Sequence, residues 1–338
     1  MRPFLLKEHP MTKPTKTRRT KKTESVDLYQ KVTDRIVEAL EKGVAPWKKP
    51  WRTAGRCSAA GPLPVNALTG KPYSGVNVLL LWLAAEEKGY STDRWVTYRQ
   101  AQEMGGQVRK GETSSEAIIF KPFEKQAEDL SGNKLFDADG KPLMESRAMI
   151  KPNFLFNVEQ CDGLPEGVAV VPHESPVTEY PGTLDWPTEK RICEIVHLAG
   201  VKVEFKLQNR AYYARRTDSI LMPVADQFFT HADYFSTMLH EVVHATGHES
   251  RLNREGITKT SKKFGDPVYA FEELIAEMGS AFLCAQLGVF GDVQHDSYIK
   301  SWLEVLKSDK KALFRACRQA REASEFLLQL TDRAAEAA

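Results

Sequence analysis

The pentapeptide His240-Glu241-Val242-Val243-His244 constrains this 338-residue chain more than any other feature in it. Met238, Leu239, Val242, Val243 and Ala245 make the segment apolar and helical. Residues four apart share a helix face, so His240 and His244 lie one turn apart on the same side. Two imidazoles at that spacing reach one Zn²⁺, and Glu241 stands beside them to act on a bound water. A catalytic zinc takes three protein ligands and keeps one position open, so a third ligand must come from elsewhere. His248 does not supply it. Gly247 ends the helix, and even a continued helix would carry His248 roughly 12 Å beyond His240. Position 250, where a third histidine of a longer motif would stand, is Ser250.

The better source is Phe271-Glu272-Glu273-Leu274-Ile275-Ala276-Glu277. Glu273 and Glu277 are four apart, and Ala276, Ser280 and Ala281 are small enough to let two helices approach closely. One carboxylate can ligate while the other accepts a hydrogen bond from a ligating histidine. Several zincin families carry Glu-x-x-Ala-Asp here, and this segment resembles that pattern with Glu in place of Asp. It implies Glu273 as ligand and Glu277 behind it, with the reverse assignment open; Glu272 is expected to face solvent. The donor set favours Zn²⁺ and also suits Mn²⁺ or Co²⁺. Tyr212, Tyr213 and His231 are candidate donors to a developing oxyanion. Asp218 to Pro223 reads as an edge strand, open to an extended peptide or simply structural.

The rest of the chain divides by charge. Residues 1–123 hold 22 Lys and Arg against 12 Asp and Glu, and residues 124–338 hold 25 against 33. A basic first part suggests a polyanionic partner. Residues 1–24, with eight cations and no apolar periodicity, read as a disordered basic arm. An α+β domain is expected over 25–164, a proline-rich linker over 165–187 and a second, helix-rich α+β domain over 188–338. Helices are predicted over Val26–Lys42 (capped by Ser25 and stopped by Gly43), Tyr73–Lys88, Tyr234–Thr246, Tyr269–Leu287 and one long tract from His295 to Leu330. No apolar run is long enough to span a membrane, and Pro3–Leu6 is too short for a signal peptide, so a cytoplasmic protein is expected. The scattered cysteines, with no Cys-x-x-Cys, read as reduced packing residues.

Within the basic part, Trp47-Lys48-Lys49-Pro50-Trp51-Arg52 alternates rings and cations. Exposed rings stack on unpaired bases while cations pair with phosphates, which is the composition of a single-strand binder. Tyr73, Arg94, Trp95, Arg109 and Lys110 extend the candidate set. The alternative is that the tryptophans anchor the core of a small domain.

Long motifs in both halves carry a family resemblance. They include Pro46-Trp47-x-x-Pro50-Trp51, Asn66-x-x-Thr69-Gly70-x-x-Tyr73-x-Gly75-x-Asn77, Arg94-Trp95-x-Thr97 and Arg109-Lys110-Gly111-Glu112. In the second half they include Asp218-x-Ile220-x-Met222-Pro223, His240-Glu241-x-x-His244-Ala245-Thr246-Gly247-His248, Arg251-Leu252-x-Arg254 and Tyr269-Ala270-x-Glu272-Glu273. On these the chain resembles the ArdC antirestriction proteins of conjugative plasmids and phages. The resemblance implies a single-stranded-DNA-binding domain followed by a zincin-like metallopeptidase domain in the bacterial cytoplasm. It implies protection of incoming mobile-element DNA from host restriction. Two other readings stand beside it: a metalloprotease cleaving a host protein with DNA binding only for targeting, and a non-hydrolytic single-strand binder with structural zinc.

Overall fold

The computed structural model describes residues 27–47, 63–129, 131–168, 184–258, 266–289, 291 and 298–337. The basic arm, Ser25, most of the linker, Lys48, Lys49, Trp51 and Arg52 therefore lie outside the described residues. The N-terminal part runs α1 (Leu28–Glu41), β1 (Val65–Asn66), α2 (Val76–Lys88), β2 (Arg94–Val96), α3 (Tyr98–Glu103), β3 (Gln107–Val108), β4 (Ser115–Gln126), β5 (Met144–Asn157) and β6 (Cys161–Asp162). The C-terminal part runs α4 (Trp186–Leu198), β7 (Lys202–Lys206), β8 (Tyr212–Ala214), β9 (Ser219–Pro223), α5 (His231–Thr246), α6 (Glu255–Thr258), α7 (Pro267–Leu287), α8 (Ile299–Ser308) and α9 (Ala312–Ala337). The fold is two-domain α+β, as expected.

Local chemistry accounts for the element ends. The Asp27 carboxylate accepts from the amides of Tyr29 and Gln30 and starts α1, and Gly43 at φ +80° follows its last turn. Apart from Asn77, residues 76–85 of α2 are apolar and buried, and the helix stops at Gly89 at φ +69°. Thr97 and Gln100 cap each other's backbone at the start of α3. The first sheet has the order β1-β2-β5-β4. Its longest feature is the β4–β5 ribbon, twelve unbroken antiparallel pairs from Ser115↔Leu155 to Gln126↔Met144. Near its base the Asn77 side chain accepts from the Ile118 amide (2.8 Å) and donates to the Ile118 carbonyl (2.9 Å). That satisfies part of an otherwise open sheet edge. Strand β4 ends at Gln126 and β5 begins at Met144, with the isolated bridges Glu128↔Lys134 and Phe136↔Pro142 between them.

Three expectations in the second half change. Asp185 caps α4, so that helix begins at Trp186, two residues ahead of the expected domain start. Strand β9 is central in the order β7-β9-β8, not an edge, because β7 pairs with it in parallel across an intervening connection. The long tract after 295 is two helices, since the Asp309 side chain accepts from the Lys311 amide and turns the chain between α8 and α9.

The two parts share an apolar core. Val32, Ile36 and Leu40 of α1 and Leu79, Leu80 and Trp82 of α2 join Leu274, Met278, Phe282, Trp302, Leu313 and Cys317 in one buried cluster. Aromatic contacts cross it: Tyr29–Phe314 at 4.7 Å, Trp47–Trp302 at 5.6 Å and Trp82–Phe282 at 6.1 Å. A second core lies under α4, α5 and the β7-β9-β8 sheet. Among the described residues no helix is long and apolar enough to cross a membrane.

Candidate metal centre

Helices α5 and α7 pack closely enough to bring three ligand types to one point. A Cβ on Gly279 would come within 2.8 Å of Val243 Cγ1, so glycine there sets the helix separation. His240 Nε2 then lies 3.7 Å from Glu273 Oε2, and His244 Nε2 3.5 Å from Glu273 Oε1. One donor atom from each of the three lies within 4.8 Å of the others, and all three residues are buried. Two imidazoles and one carboxylate converging in this way fit a four-coordinate divalent ion with an open position. Glu277, also buried, stands one turn further along α7 and is outside this group. Helix α5 ends at Thr246, and His248 turns away to Ser250 Oγ at 2.8 Å.

Glu272 corrects the expectation that it faces solvent: it is 1 % exposed. Its Oε1 lies 3.5 Å from His244 Nδ1, so it is the carboxylate that backs this imidazole, in the place expected for Glu277. Arg254 holds it, donating from Nε to both Glu272 oxygens at 3.1 Å. The same guanidinium donates to Thr246 Oγ1 (2.6 Å) and the Val243 carbonyl (2.8 Å), closing the end of α5. Gly247 leaves room for this, since a Cβ there would meet Arg254 Nη2 at 3.0 Å.

Electrostatics in the cluster follow from burial and charge. Burial raises the Glu241 carboxyl, against the pull of His240 and His244, and the Tyr213 backbone amide donates to it. Burial works against a charge on His244, but Glu273 and Glu272 outweigh it and push the imidazole up to about 10. Burial likewise opposes the Glu273 and Glu272 anions, yet His244 and His240 hold Glu273 well below the usual carboxylate range, and Arg254 and His244 hold Glu272 below it. The charges that draw a proton to this point would draw a divalent cation.

The expected oxyanion donors fare differently. His231 is on the surface, 2.8 Å from Glu189. The Tyr213 hydroxyl is committed to Asp218 at 2.7 Å, and Tyr212 is exposed. Two tyrosines that the motif reading left without a role are nearer. Tyr269 hydrogen-bonds Glu273, and its hydroxyl is 3.4 Å from that of Tyr298. Tyr269 is four residues before Glu273 on α7, the spacing that could have pointed to it.

The residues expected to meet nucleic acid scatter. Trp47 is 4 % exposed and Trp95 0 %, so neither ring can stack on a base; both are core residues, packed on Trp302 and Tyr90. Tyr73 is half-buried beside Asn66, and Arg94 donates to the Gly167 carbonyl. Arg109 is paired with Glu112 (2.8 Å) and Asp162 (3.4 Å). It and Lys110 do line an open cavity of about 410 Å³ with Tyr98, Phe156 and Glu112.

Comparison with known proteins matches these two parts separately. Residues 26–156 match the N-terminal domain of anti-restriction factor ArdC, and residues 190–319 match the zincin-like metallopeptidase family MPTase-PolyVal. Over both together, the fold is similar to a metal-free crystal structure of antirestriction ArdC protein from plasmid R388, at 36% identity and TM-score 0.72. That likeness covers 91% of this chain and 98% of the other. The chain belongs to the ArdC antirestriction family. A Mn(II)-bound structure of the R388 protein is similar to this ArdC relative at TM-score 0.68 and 36% identity, covering 90% of this chain and 98% of that one. An uncharacterized protein y4eC of Sinorhizobium fredii is 34% identical over 92% of this chain and 94% of its own length. A DNA primase TraC of Escherichia coli is 35% identical over 89% of this ArdC-family chain, which spans only 27% of that relative's length.

Proposed function

We propose that this chain is an antirestriction protein that binds single-stranded DNA through its N-terminal domain and carries a metal-dependent hydrolytic site in its C-terminal domain. Its biological task in this reading is to shield incoming mobile-element DNA from host restriction. The observation that carries it is the likeness to R388 ArdC across both domains. His240, His244 and Glu273 are the ligands, and the nitrogen-rich donor set favours Zn²⁺, with Mn²⁺ or Co²⁺ also accommodated. When bound, such an ion polarises a carbonyl and acidifies a water. Glu241 accepts a proton at its carboxylate and returns it to a leaving group, a task suited to a buried carboxyl already biased towards protonation. Glu272, held by Arg254, fixes the orientation of His244. Tyr269 donates to Glu273 and fixes its free rotation.

The test is fluorescence anisotropy with a labelled single strand and its duplex at low and moderate salt. Salt-sensitive binding that prefers the single strand is expected. Absence of binding, or equal binding to the duplex, overturns the DNA half of the reading. A peptidase function is favoured by Glu241, since a structural site needs no base beside its ligands. Glu241→Gln should keep metal and fold while losing hydrolysis of a reporter polypeptide; loss of metal instead would show that Glu241 has another role.

A further inference from the structure

The buried tryptophans leave open which surface meets DNA, and the β4–β5 ribbon answers from its register. Directly opposed residues on an antiparallel pair point to the same side, and every second pair shares a face. One face therefore carries Ile119 with Lys151, Lys121 with Met149, and Phe123 with Arg147. Each of these three rows holds one apolar side chain and one cation, and none holds a carboxylate. The cation alternates between strands from row to row, giving a checkerboard with rows about 7 Å apart. The opposite face, six alternate pairs from Glu116↔Phe154 to Gln126↔Met144, carries no cation and includes Glu116 and Glu124.

Both faces expose apolar side chains, Phe120 (51 %) and Phe154 (54 %) among them on the second, so it is the cations and the contact with α9 that tell them apart. On the face without cations, Phe120 meets Phe314 of α9 at 6.5 Å and Ile150 packs on the shared core. On the charged face, Ile119 is 49 % exposed, Phe123 37 % and Met149 42 %. Further out, Lys125 is 3.1 Å from Glu128, and Arg147 also contacts Glu145, so the cationic strip is bounded there. Exposed apolar groups interleaved with cations on a regular ribbon suit a ligand with flat apolar faces and a repeating negative charge. A protein partner would need acids at that repeat, whereas an extended nucleic-acid strand presents both features by construction.

We infer that this face of the β4–β5 ribbon is the docking surface for single-stranded DNA, with Phe123, Ile119 and Met149 against bases and Lys121, Arg147 and Lys151 against phosphates. This rests on the single-strand-binding reading above. The experiment uses the full chain, a fluorescein-labelled oligothymidylate and a salt titration. Lys121→Ala with Lys151→Ala should weaken binding about tenfold at moderate salt and lower the salt slope by about 1.4, at roughly 0.7 per phosphate contact. Phe123→Ala should weaken binding about fivefold or more with the slope unchanged. Phe154→Ala and Glu124→Gln, on the other face, should change nothing. Chemical acetylation of the unaltered protein gives a second readout that needs no variant: Lys121 and Lys151 should be protected by the oligonucleotide. Undiminished binding by the ribbon variants, or unprotected lysines in a chain that does bind, overturns this placement alone. A wild-type chain that fails to bind the single strand overturns the functional reading along with it.

Discussion

The metal centre and the basic N-terminal part reward sequence reading very differently. At the metal centre the decisive relationships are local: His240 to His244 and Tyr269 to Glu273 are each one helical turn, so spacing in the chain is spacing in space. In the N-terminal part they are not. The cationic strip arises because residue 121 lies opposite 149 and residue 123 opposite 147, a register that no single segment encodes. A helix writes its face into its own sequence, whereas a ribbon's face belongs to two segments jointly.

The sharpest test of that contrast sets two arginine–glutamate pairs against each other. Arg254–Glu272 is buried behind His244, and Arg109–Glu112 is on the surface. Arg254→Ala strands a buried carboxylate and should cost about 3–5 kcal/mol of stability. Arg109→Ala should cost far less, because the exposed pair is screened by water. Chemical denaturation of both variants checks the difference, and similar losses would mean that the C-terminal pair is more hydrated than its burial indicates.

Trp47 tests the other side of the comparison. Trp47→Ala should destabilise by about 3–5 kcal/mol, as expected for a large core ring. Trp47→Phe should keep most of the stability and all of the single-strand affinity. If the phenylalanine variant folds well yet binds DNA poorly, Trp47 stacks on bases after all.

Next in size is the carboxylate behind His244. Glu272→Gln should weaken metal affinity about 10–100-fold, measured by competition with a chelator, while Glu277→Gln should weaken it less. The reverse order would return the supporting role to Glu277.

These cases show what the sequence carried and what it withheld. The convergence of His240, His244 and Glu273 was legible, because helix geometry turns spacing into position. Glu272 was not, since its partner Arg254 is eighteen residues upstream, before helix α6. The same run of Trp, Lys and Pro suits a stacking surface or a core, and for Trp47 only its packing on Trp302 of α8 decides it. Strand β9 looked like an edge because its parallel partner β7 comes before an intervening strand. The break between α8 and α9 did have a local signal in Ser308-Asp309, where Ser308 donates to the Val305 carbonyl and Asp309 accepts from the Lys311 amide.

The smallest effect concerns the turn that holds β8 over Glu241. Asp218 accepts from the Tyr213 hydroxyl at 2.7 Å and from Arg251 Nη1 at 3.1 Å, tying β8, β9 and the end of α5 together. Burial pushes its carboxyl up, but the Arg251 and Tyr213 hydrogen bonds and the Arg251 charge outweigh it and hold it below the usual carboxylate range. A carboxyl lowered in the folded state contributes stability above its unfolded pKa of about 4 and loses it as pH falls through the folded value. The wild-type chain should therefore lose stability relative to Asp218→Asn as pH drops below about 4, and the two should differ by a constant amount near neutrality. Asparagine is the right comparison because Asp218 sits at φ +43°, a conformation that Asn tolerates. Since the carboxylate is 28 % exposed, water screens the pair and the neutral-pH difference should stay within about 1 kcal/mol. Thermal melts of both chains across that pH range read it directly, and parallel curves at every pH would mean that the Asp218 charge does not help to hold β8 in place.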